Sequence, residues 1–261
     1  MRWNPDSYHE FDAERSRPFH DLIGAVATHY PDFRPRSIVD LGCGSGELTA
    51  QLGAKWPEAR VLGIDSSPEM IDRTSAHESA QVNFSLDSIE DFTPPPGLDL
   101  LVSNAALQWV PGHPALLDGW MAAMGPGSVL AVQVPGNFRA PSHSLMREIA
   151  NSGDFAAELA GVLRSGDVVA EPGDYLHRLA DAGLAPTVWE TTYLQVLAGE
   201  NPVLDWVRGT ALRPVLAALS AERAAEFERV YGAALQRAYP PTRHGTVFKF
   251  RRIFFIGRHA S

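Results

Sequence analysis

An apolar run that passes directly into a glycine-rich turn constrains the fold of this chain more than any other feature. The run includes Val39 and Leu41, and the turn that follows it is Gly42-Cys43-Gly44-Ser45-Gly46. Glycine tolerates positive φ angles and lacks a Cβ atom, so the backbone of such a turn can approach a ligand closely. A helix that begins after the turn offers unpaired N–H groups to a carboxylate or a phosphate. The pattern predicts a strand, a tight turn and a helix, either with a ligand at the turn or as a plain structural connection.

Short apolar runs alternate with helix-length amphipathic stretches from residue 37 to residue 135. This alternation is typical of βαβ units, in which buried parallel strands are covered by helices. Helices are predicted to begin near Gly46, at Ser67 and near Pro114, and a further helix over Phe11–His29 precedes the first strand. The predicted strands are Ser37–Leu41, Arg60–Asp65, Val82–Leu86, Leu98–Asn104 and Ser128–Val134.

The pattern changes after Val134, where residues 142–165 and 201–238 are predicted to be helical and to form a cap. A helix over Asp174–Ala182 follows, and two β-rich runs, Thr187–Leu197 and Phe248–His259, complete a sheet. We therefore expect an α/β fold with a doubly wound, mostly parallel seven-stranded sheet and a helical cap. Within one domain over residues 1–261, the predicted parts are an N-terminal covering segment (1–36), a ligand-binding core (37–137), two cap insertions (138–172 and 198–246) and the final helix and strands (173–197 and 247–261).

The charge is unevenly distributed along the chain. Residues 1–200 carry 12 basic and 27 acidic side chains, whereas residues 201–261 carry 10 basic and 4 acidic ones, and the whole chain has a formal charge of −9. An acidic body repels long polyanions, so we expect no nucleic-acid or anionic-membrane partner. The basic tail favours a small anionic substrate, although solvated arginines would give the same composition.

Cysteine usage and hydropathy suggest the cellular compartment. The lone cysteine, Cys43, excludes an internal disulfide and suits a reducing compartment. The sequence begins without the apolar core of a signal peptide, and it has no apolar run of about 18 residues. The histidines show no metal-ligand spacing, so no metal is predicted. The expectation is a cytoplasmic protein, monomeric or weakly oligomeric.

Polar residues close the predicted parallel strands. Asp65 ends the second strand, 19 residues after Gly46, and Asp87 follows the third strand and precedes Ser88 and Ile89. Open α/β sheets bind ligands at the carboxyl ends of their strands, and a carboxylate there can accept both ribose hydroxyl protons of a nucleoside. The sequence therefore predicts a nucleoside cofactor in this crevice.

The first motif resembles that of the class I S-adenosylmethionine-dependent methyltransferases, which has the form D-x-G-x-G-x-G. Asp40, Gly42, Gly44 and Gly46 match it, whereas dinucleotide oxidoreductases usually have GxGxxG. The resemblance implies S-adenosyl-L-methionine as cofactor and S-adenosyl-L-homocysteine as product. It also implies the cofactor contacts: the glycine turn for the methionine moiety, Asp65 with the neighbouring Ser66 for the ribose side, Asp87, Ser88 and Ile89 for the adenine, and Asn104 beside the methyl group.

Motifs spread along the chain narrow the resemblance to the trans-aconitate 2-methyltransferases. The family is expected to esterify one carboxylate of trans-aconitate to its monomethyl ester, and its N-terminal segment, here with Tyr8 and Arg17, covers the cofactor. The chain departs from the expected pattern at Ser45 and Glu47. The similar segments are Trp3-Asn4-Pro5, Arg15-Ser16-Arg17-Pro18, Gly63 to Pro68, Asn104 to Trp109, Leu145 to Glu148, Thr191-Thr192-Tyr193, Asp205-Trp206-Val207 and Leu212-Arg213-Pro214.

Carboxylate methylation requires little acid–base chemistry, because a carboxylate with a reference pKa near 4 is already ionised at neutral pH. No acid or base residue is therefore predicted. Arginines should hold the spectator carboxylates of the substrate, since guanidinium groups bind carboxylates in a bidentate manner. The predicted acceptor-site residues are Arg213 and Arg252, with Arg147, Arg258, Trp109 and His143 as further candidates.

Each of these residues also has a purely structural interpretation: an ion pair within the helix for Arg147, a solvated strand end for Arg258 and a core position for Trp109. Two alternatives for the function stay open as well. One is a methyltransferase of another small carboxylate or of a hydroxyl, and the other is a binding module that holds the cofactor without catalysis.

Overall fold

The computed structural model describes residues 12–163 and 169–260. Tyr8, predicted to cover the cofactor, lies outside them. The helices are α1 (Asp12–His29), α2 (Glu47–Lys55), α3 (Pro68–Ile71), α4 (His113–Ala123), α5 (Pro141–Ala150), α6 (Pro172–Asp181), α7 (Pro202–Arg208), α8 (Arg213–Ala218) and α9 (Ala221–Ala238). The strands are β1 (Ser37–Leu41), β2 (Arg60–Asp65), β3 (Val82–Leu86), β4 (Leu100–Asn104), β5 (Val129–Pro135), β6 (Leu184–Leu197), β7 (Pro241–Thr242) and β8 (Gly245–His259).

The strands form one sheet with the order β3-β2-β1-β4-β5-β8-β6, and the two-residue β7 pairs with β8 outside this path. Pairing is parallel from β3 to β5, and β8 runs antiparallel to β5. The order reverses between β1 and β4, which is the switch point where doubly wound sheets bind ligands. The predicted doubly wound, mostly parallel fold is confirmed, and the first three predicted strands have the observed bounds.

The chain divides into two compact units. The first comprises Met1–Pro135, Val169–Thr191 and Arg252–Ser261, and the second comprises Gly136–Val168 and Thr192–Arg251. The predicted division of the chain into core and cap segments stays a prediction.

The interior strand β5 is buried along its whole length, and its side chains point to the two faces of the sheet. Leu130, Val132 and Val134 belong to the main apolar core together with Trp120 and Tyr175 from the helices α4 and α6. Because side chains alternate along a strand, Ala131, Gln133 and Pro135 lie on the opposite face. Helix α1 packs against β5 and buries Phe19, Leu22 and Val26.

The second unit is mainly helical, with α9 packed against α5 and α7. Phe155 meets Phe227 at 5.1 Å between ring centroids, and Trp206 meets Phe248 at 5.8 Å. These aromatic contacts, together with the buried Tyr231, form the apolar centre of this unit.

The prediction of helix over residues 142–165 is wrong for residues 151–163, and its last two residues lie outside the described residues. The side chain of Asn151 donates to the Arg147 carbonyl, and that of Ser152 donates to the Ile149 carbonyl, so local hydrogen bonds satisfy the end of α5. Gly153 then takes a φ of 51° and begins a single 3-10 turn. The predicted helical stretch 201–238 is likewise divided, into α7, α8 and α9. Within the described ranges, no helix has the length and apolarity needed to cross a membrane.

Candidate functional site

The glycine turn between β1 and α2 has a strained path that glycine alone adopts easily. Gly42, Gly44 and Gly46 have φ angles of 77°, 56° and 85°. The N–H groups of Gly42 and Cys43 both donate to the Ile64 carbonyl, at 2.8 and 3.0 Å. These bonds attach the turn to the end of β2, so its backbone is fixed before any ligand arrives.

The three glycines differ in what surrounds them. A Cβ atom on Gly42 would lie 2.2 Å from the Ala106 Cβ, and one on Gly46 would lie 2.6 Å from the Phe84 ring. A Cβ atom on Gly44 would meet no atom within 4 Å. Gly42 and Gly46 are therefore required by packing, whereas Gly44 borders open space that a ligand can occupy.

Asp40 lies beneath the turn and is only 3% exposed. Its Oδ2 accepts a hydrogen bond of 2.6 Å from the Thr49 hydroxyl on α2. Burial raises the pKa of Asp40 to about 6, the Thr49 hydrogen bond opposes this, and the nearby Asp65 carboxylate adds to it. A buried carboxylate with one side-chain donor is costly to keep ionised, which indicates that something other than stability maintains it.

Asp65 joins the carboxyl end of β2 to the turn. Its Oδ2 accepts from the Gly44 N–H at 2.9 Å, and its Oδ1 accepts from the Ser67 N–H at 2.9 Å. Each carboxylate oxygen has two lone pairs, so each keeps one acceptor position for a ligand. Ser66 is exposed beside it, and Ser67 caps α3 through the Met70 N–H.

The segment after β3 lies next to these residues. The Asp87 N–H donates to the Asp65 carbonyl at 3.1 Å, and the Asp87 Oδ1 accepts from the Ser88 N–H at 2.8 Å. Ile89 is buried, and its Cδ1 would lie 3.6 Å from a Cβ atom on Gly42. The structure thus brings the glycine turn, the Asp65 carboxylate and the Asp87–Ile89 segment together at one edge of the sheet.

Asn104 ends β4 next to Gln133 of β5 in the parallel register. Its buried Oδ1 has no hydrogen-bond partner among the described residues. The next residue, Ala105, has a φ of 53°, which is rare for a residue with a Cβ atom. Its N–H donates to the Gln133 carbonyl at 2.9 Å, and its carbonyl accepts from the Gln108 side chain, so the strained turn is held from two sides.

The arginines of the basic tail occupy different environments. Arg252 is 8% exposed and lies opposite Pro135 in the β8–β5 pairing, at the carboxyl end of β5. Arg258 lies opposite Val129 at the amino end and pairs with Asp32 at 3.1 Å. The further candidate Arg258 was therefore a wrong prediction, because the antiparallel strand carries it away from the glycine turn. Arg213 is exposed at the first residue of α8.

Two predicted residues form a cluster within the second unit. The Arg147 guanidinium donates to the Phe138 carbonyl at 2.7 Å, and the Phe138 ring meets the His143 ring edge-on at 5.3 Å between centroids. Burial, with the Arg147 charge as a smaller cause, lowers the pKa of His143 to about 4. His143 is therefore neutral at physiological pH and contributes no charge to an anionic ligand.

Three further residues from the sequence analysis are Trp109, Arg17 and Cys43. Trp109 is 58% exposed, and Arg17 is exposed on α1. Burial raises the pKa of the Cys43 thiol far above its ordinary value, and its Sγ donates to the Gly44 carbonyl. Cys43 is thus a poor nucleophile, in line with the structural role of a residue in a glycine turn.

Known proteins are similar to this chain both around the glycine turn and over nearly its whole length. A family model described as a methyltransferase domain matches residues 38–127. Trans-aconitate 2-methyltransferase from Streptomyces coelicolor is 48% identical over 98% of this chain and 86% of its own length. The protein of the same name from Rhodococcus jostii is 46% identical over 98% of this chain and 99% of its own.

The chain belongs to the trans-aconitate 2-methyltransferase family. Solved structures of lower identity share the fold. A putative sarcosine dimethylglycine methyltransferase from Galdieria sulphuraria has a TM-score of 0.56 at 15% identity and covers 93% of this chain and 86% of its own. The plantazolicin methyltransferase BpumL, in complex with a pentazolic desmethylPZN analog and SAH, has a TM-score of 0.53 at 13% identity and covers 98% of this chain and 90% of its own.

Two residues at this edge of the trans-aconitate 2-methyltransferase fold escaped the sequence analysis. Gln133 is buried within β5, and Ala105 takes the left-handed conformation after β4. A glutamine within the apolar run 129–135 was a signal for the first. Ala105 had no local signal, because an alanine in the sequence gives no indication of a left-handed backbone.

Proposed function

We propose that this chain is a carboxyl O-methyltransferase that transfers a methyl group from S-adenosylmethionine to one carboxylate of trans-aconitate. The products are the monomethyl ester and S-adenosylhomocysteine. The observation that carries the proposal is the reach of the similarity, since relatives named trans-aconitate 2-methyltransferase are 43–48% identical over 97–98% of the chain. Identity of this extent includes the region beyond residue 127, outside the general methyltransferase domain.

The residues at the carboxyl edge of the sheet suit S-adenosylmethionine. The Asp65 carboxylate has two acceptor positions left, which is the number that a ribose diol needs. Gly44 leaves room for a ligand beside the turn, and Ile89 supplies an apolar surface for a base. We assign these roles to them, together with Asp87, Ser88 and Ser66 on the same edge, and we assign Asn104 to the side of the methyl group. When bound, the cofactor supplies a methyl group whose bonding electron pair returns to sulfur, so the acceptor oxygen gains the methyl group and no proton moves.

Asp40 contributes to this site through its charge. The buried carboxylate sits beneath the glycine turn, and its negative potential favours a cationic ligand above it. Thr49 keeps the carboxylate in a fixed direction from α2. We propose that Asp40 orders the turn and supports the positive charge of the cofactor.

Methylation requires the acceptor carboxylate to be positioned next to the methyl group, and it does not require a base to remove a proton from it. A carboxylate is ionised at neutral pH, and its charge is neutralised during methylation, so a strong cation on the reacting oxygen would slow the reaction. Arginine is better placed on the spectator carboxylates. We assign Arg252 to that role, because the residue is only 8% exposed and lies at the carboxyl end of β5, opposite Pro135.

Arg213, Arg147 and Trp109 stay predictions for the acceptor site, and Arg17 and Tyr8 stay predictions for the covering segment. His143 bears on the choice of acceptor. A hydroxyl acceptor needs a base whose pKa lies near neutral pH, and a His143 pKa of about 4 makes this histidine a weak base. His143 is therefore a poor candidate for such a base.

The test is incubation with methyl-labelled S-adenosylmethionine and a panel of acceptors, followed by mass analysis of the product. The panel contains trans-aconitate, cis-aconitate, citrate, a malonyl thioester and a neutral hydroxy compound. We expect a monomethyl ester of trans-aconitate, with a rate at saturating S-adenosylmethionine that is flat between about pH 6 and 8 because no catalytic base is titrated. A preferred acceptor without a free carboxylate, or cofactor binding with no ester from any acid, contradicts the proposal.

A further inference from the structure

Gln133 is a buried amide in a strand that is otherwise apolar. It lies on β5, where all seven residues are buried, and its own exposure is 1%. Neither Oε1 nor Nε2 of its side chain has a hydrogen-bond partner among the described residues. A buried amide with both ends unpaired destabilises a fold, so a native protein that retains one gives it a role, such as binding a ligand, an ion or a water molecule.

The position of Gln133 identifies the site to which it belongs. It pairs with Asn104 on β4 and with Phe254 on β8, so all three side chains lie on one face of the sheet at its carboxyl end. Its main-chain carbonyl accepts from Ala105 at 2.9 Å, which ties the Gln133 backbone to the strained turn. Asn104 also has a buried oxygen that no described residue satisfies. Two incomplete amides thus stand side by side at this edge.

A third polar side chain shares that face. Arg252 lies two residues from Phe254 on β8, so it is the diagonal neighbour of Gln133. Diagonal neighbours on adjacent strands are about 7–8 Å apart, a distance that long side chains can span. The amide and the guanidinium therefore come from adjacent positions on one face, and two such donor groups suit an anion with more than one carboxylate.

We propose that the Nε2 of Gln133 donates to the acceptor carboxylate that becomes methylated, while Arg252 holds a spectator carboxylate. The inference rests on the proposed function. A neutral amide orients the reacting oxygen and stabilises its negative charge less than a guanidinium does, because a hydrogen bond between two charged groups is the stronger one. In this proposal Gln133 holds the carboxylate that must stay nucleophilic, and Arg252 holds a carboxylate that does not react.

The experiment replaces the amide by an apolar side chain of similar length, Gln133→Met. We expect the KM for trans-aconitate to rise about 10- to 100-fold, which is the range for loss of a hydrogen bond to a charged group. Calorimetry should show the same weakening for trans-aconitate binding to the enzyme–S-adenosylhomocysteine complex. The affinity for S-adenosylmethionine should stay within about threefold, and the Tm should stay equal or rise because an unsatisfied buried amide is removed.

A matched control is Gln81→Met, since the Gln81 amide is satisfied by the carbonyls of Gly53 and Trp56 at 3.1 and 2.7 Å. This variant should lower the Tm and leave the KM unchanged. Gln133→Glu is the second test variant, and it should raise the KM at least as much as Gln133→Met because two carboxylates repel each other.

Three outcomes overturn the inference. An unchanged KM for trans-aconitate in both Gln133→Met and Gln133→Glu would show that Gln133 does not contact the acceptor. A loss of cofactor affinity equal to the loss of trans-aconitate affinity moves Gln133 to the cofactor instead. A drop in Tm with unchanged binding, as in Gln81→Met, makes it structural. A wild-type protein that esterifies no carboxylate is a different result, because it refutes the proposed function itself.

Discussion

The clearest energetic consequence of the site concerns Asp40, and it predicts that Asp40→Asn stabilises the fold. The carboxylate is 3% exposed, and its pKa rises from 3.8 to about 6. At pH 7.5 the group is ionised in both the folded and the unfolded chain. The shift therefore corresponds to about 3 kcal/mol by which ionisation weakens the folded state.

The sign follows from the direction of the shift. A carboxyl whose folded pKa is raised favours the folded state fully below pH 3.8, and this contribution is lost as the pH rises through about 6. The asparagine carries no charge at any pH. The difference in stability between Asp40→Asn and the wild type should therefore be largest above pH 7 and should shrink as the pH falls to 4. For a chain of this size, about 3 kcal/mol corresponds to a Tm increase of about 6–10 °C.

The assay is thermal unfolding of both proteins at pH 7.5, 6 and 4.5, with S-adenosylmethionine affinity measured at pH 7.5. We expect the cofactor to bind about tenfold more weakly to Asp40→Asn, because the negative potential proposed to support its positive charge is lost. Asp99→Asn is a control at the opposite end of the sheet, where the carboxylate accepts from the N–H groups of Arg36 and Ser37. That variant should lose stability and keep its cofactor affinity. A variant Asp40→Asn that is no more stable at pH 7.5, or a stability gap that ignores pH, refutes the reasoning.

Two further predictions test the geometry of the site. Gly44→Ala should fold with a loss of about 1–2 kcal/mol from its left-handed backbone, and it should weaken S-adenosylmethionine binding at least tenfold, because the new methyl group enters the open space. Gly42→Ala should instead fail to give folded protein by circular dichroism, and equal stability of the two variants would contradict the assignment. Arg252→Leu should raise the KM for trans-aconitate about 100-fold with little change in cofactor affinity, whereas Arg258→Leu should change the Tm alone. Equal kinetic effects of the two arginine variants would remove Arg252 from the acceptor site.

Local sequence patterns predicted much of the fold. The strands β1, β2 and β3 follow from short apolar runs, and the turn at Gly42–Gly46 follows from a spacing that few other structures require. Asp65 was predicted because a residue that ends a parallel strand must lie at the ligand-binding edge. The end of α5 at Ala150 was missed, because side-chain caps compete with helix at a single turn and leave little trace in an average over a window.

The sequence by itself determined the fold class, the glycine turn and the strand ends, since each depends on neighbours within a few residues. The tertiary structure alone decided which arginine lies at the ligand-binding edge, because Arg252 and Arg258 share one strand and one face, and only the antiparallel direction of β8 places the first at the carboxyl end of β5. It also decided which glycine faces open space, how far burial raises the pKa of Asp40, and that Gln133 lacks a partner among the described residues. These properties depend on atoms that are distant along the chain, so no local pattern contains them.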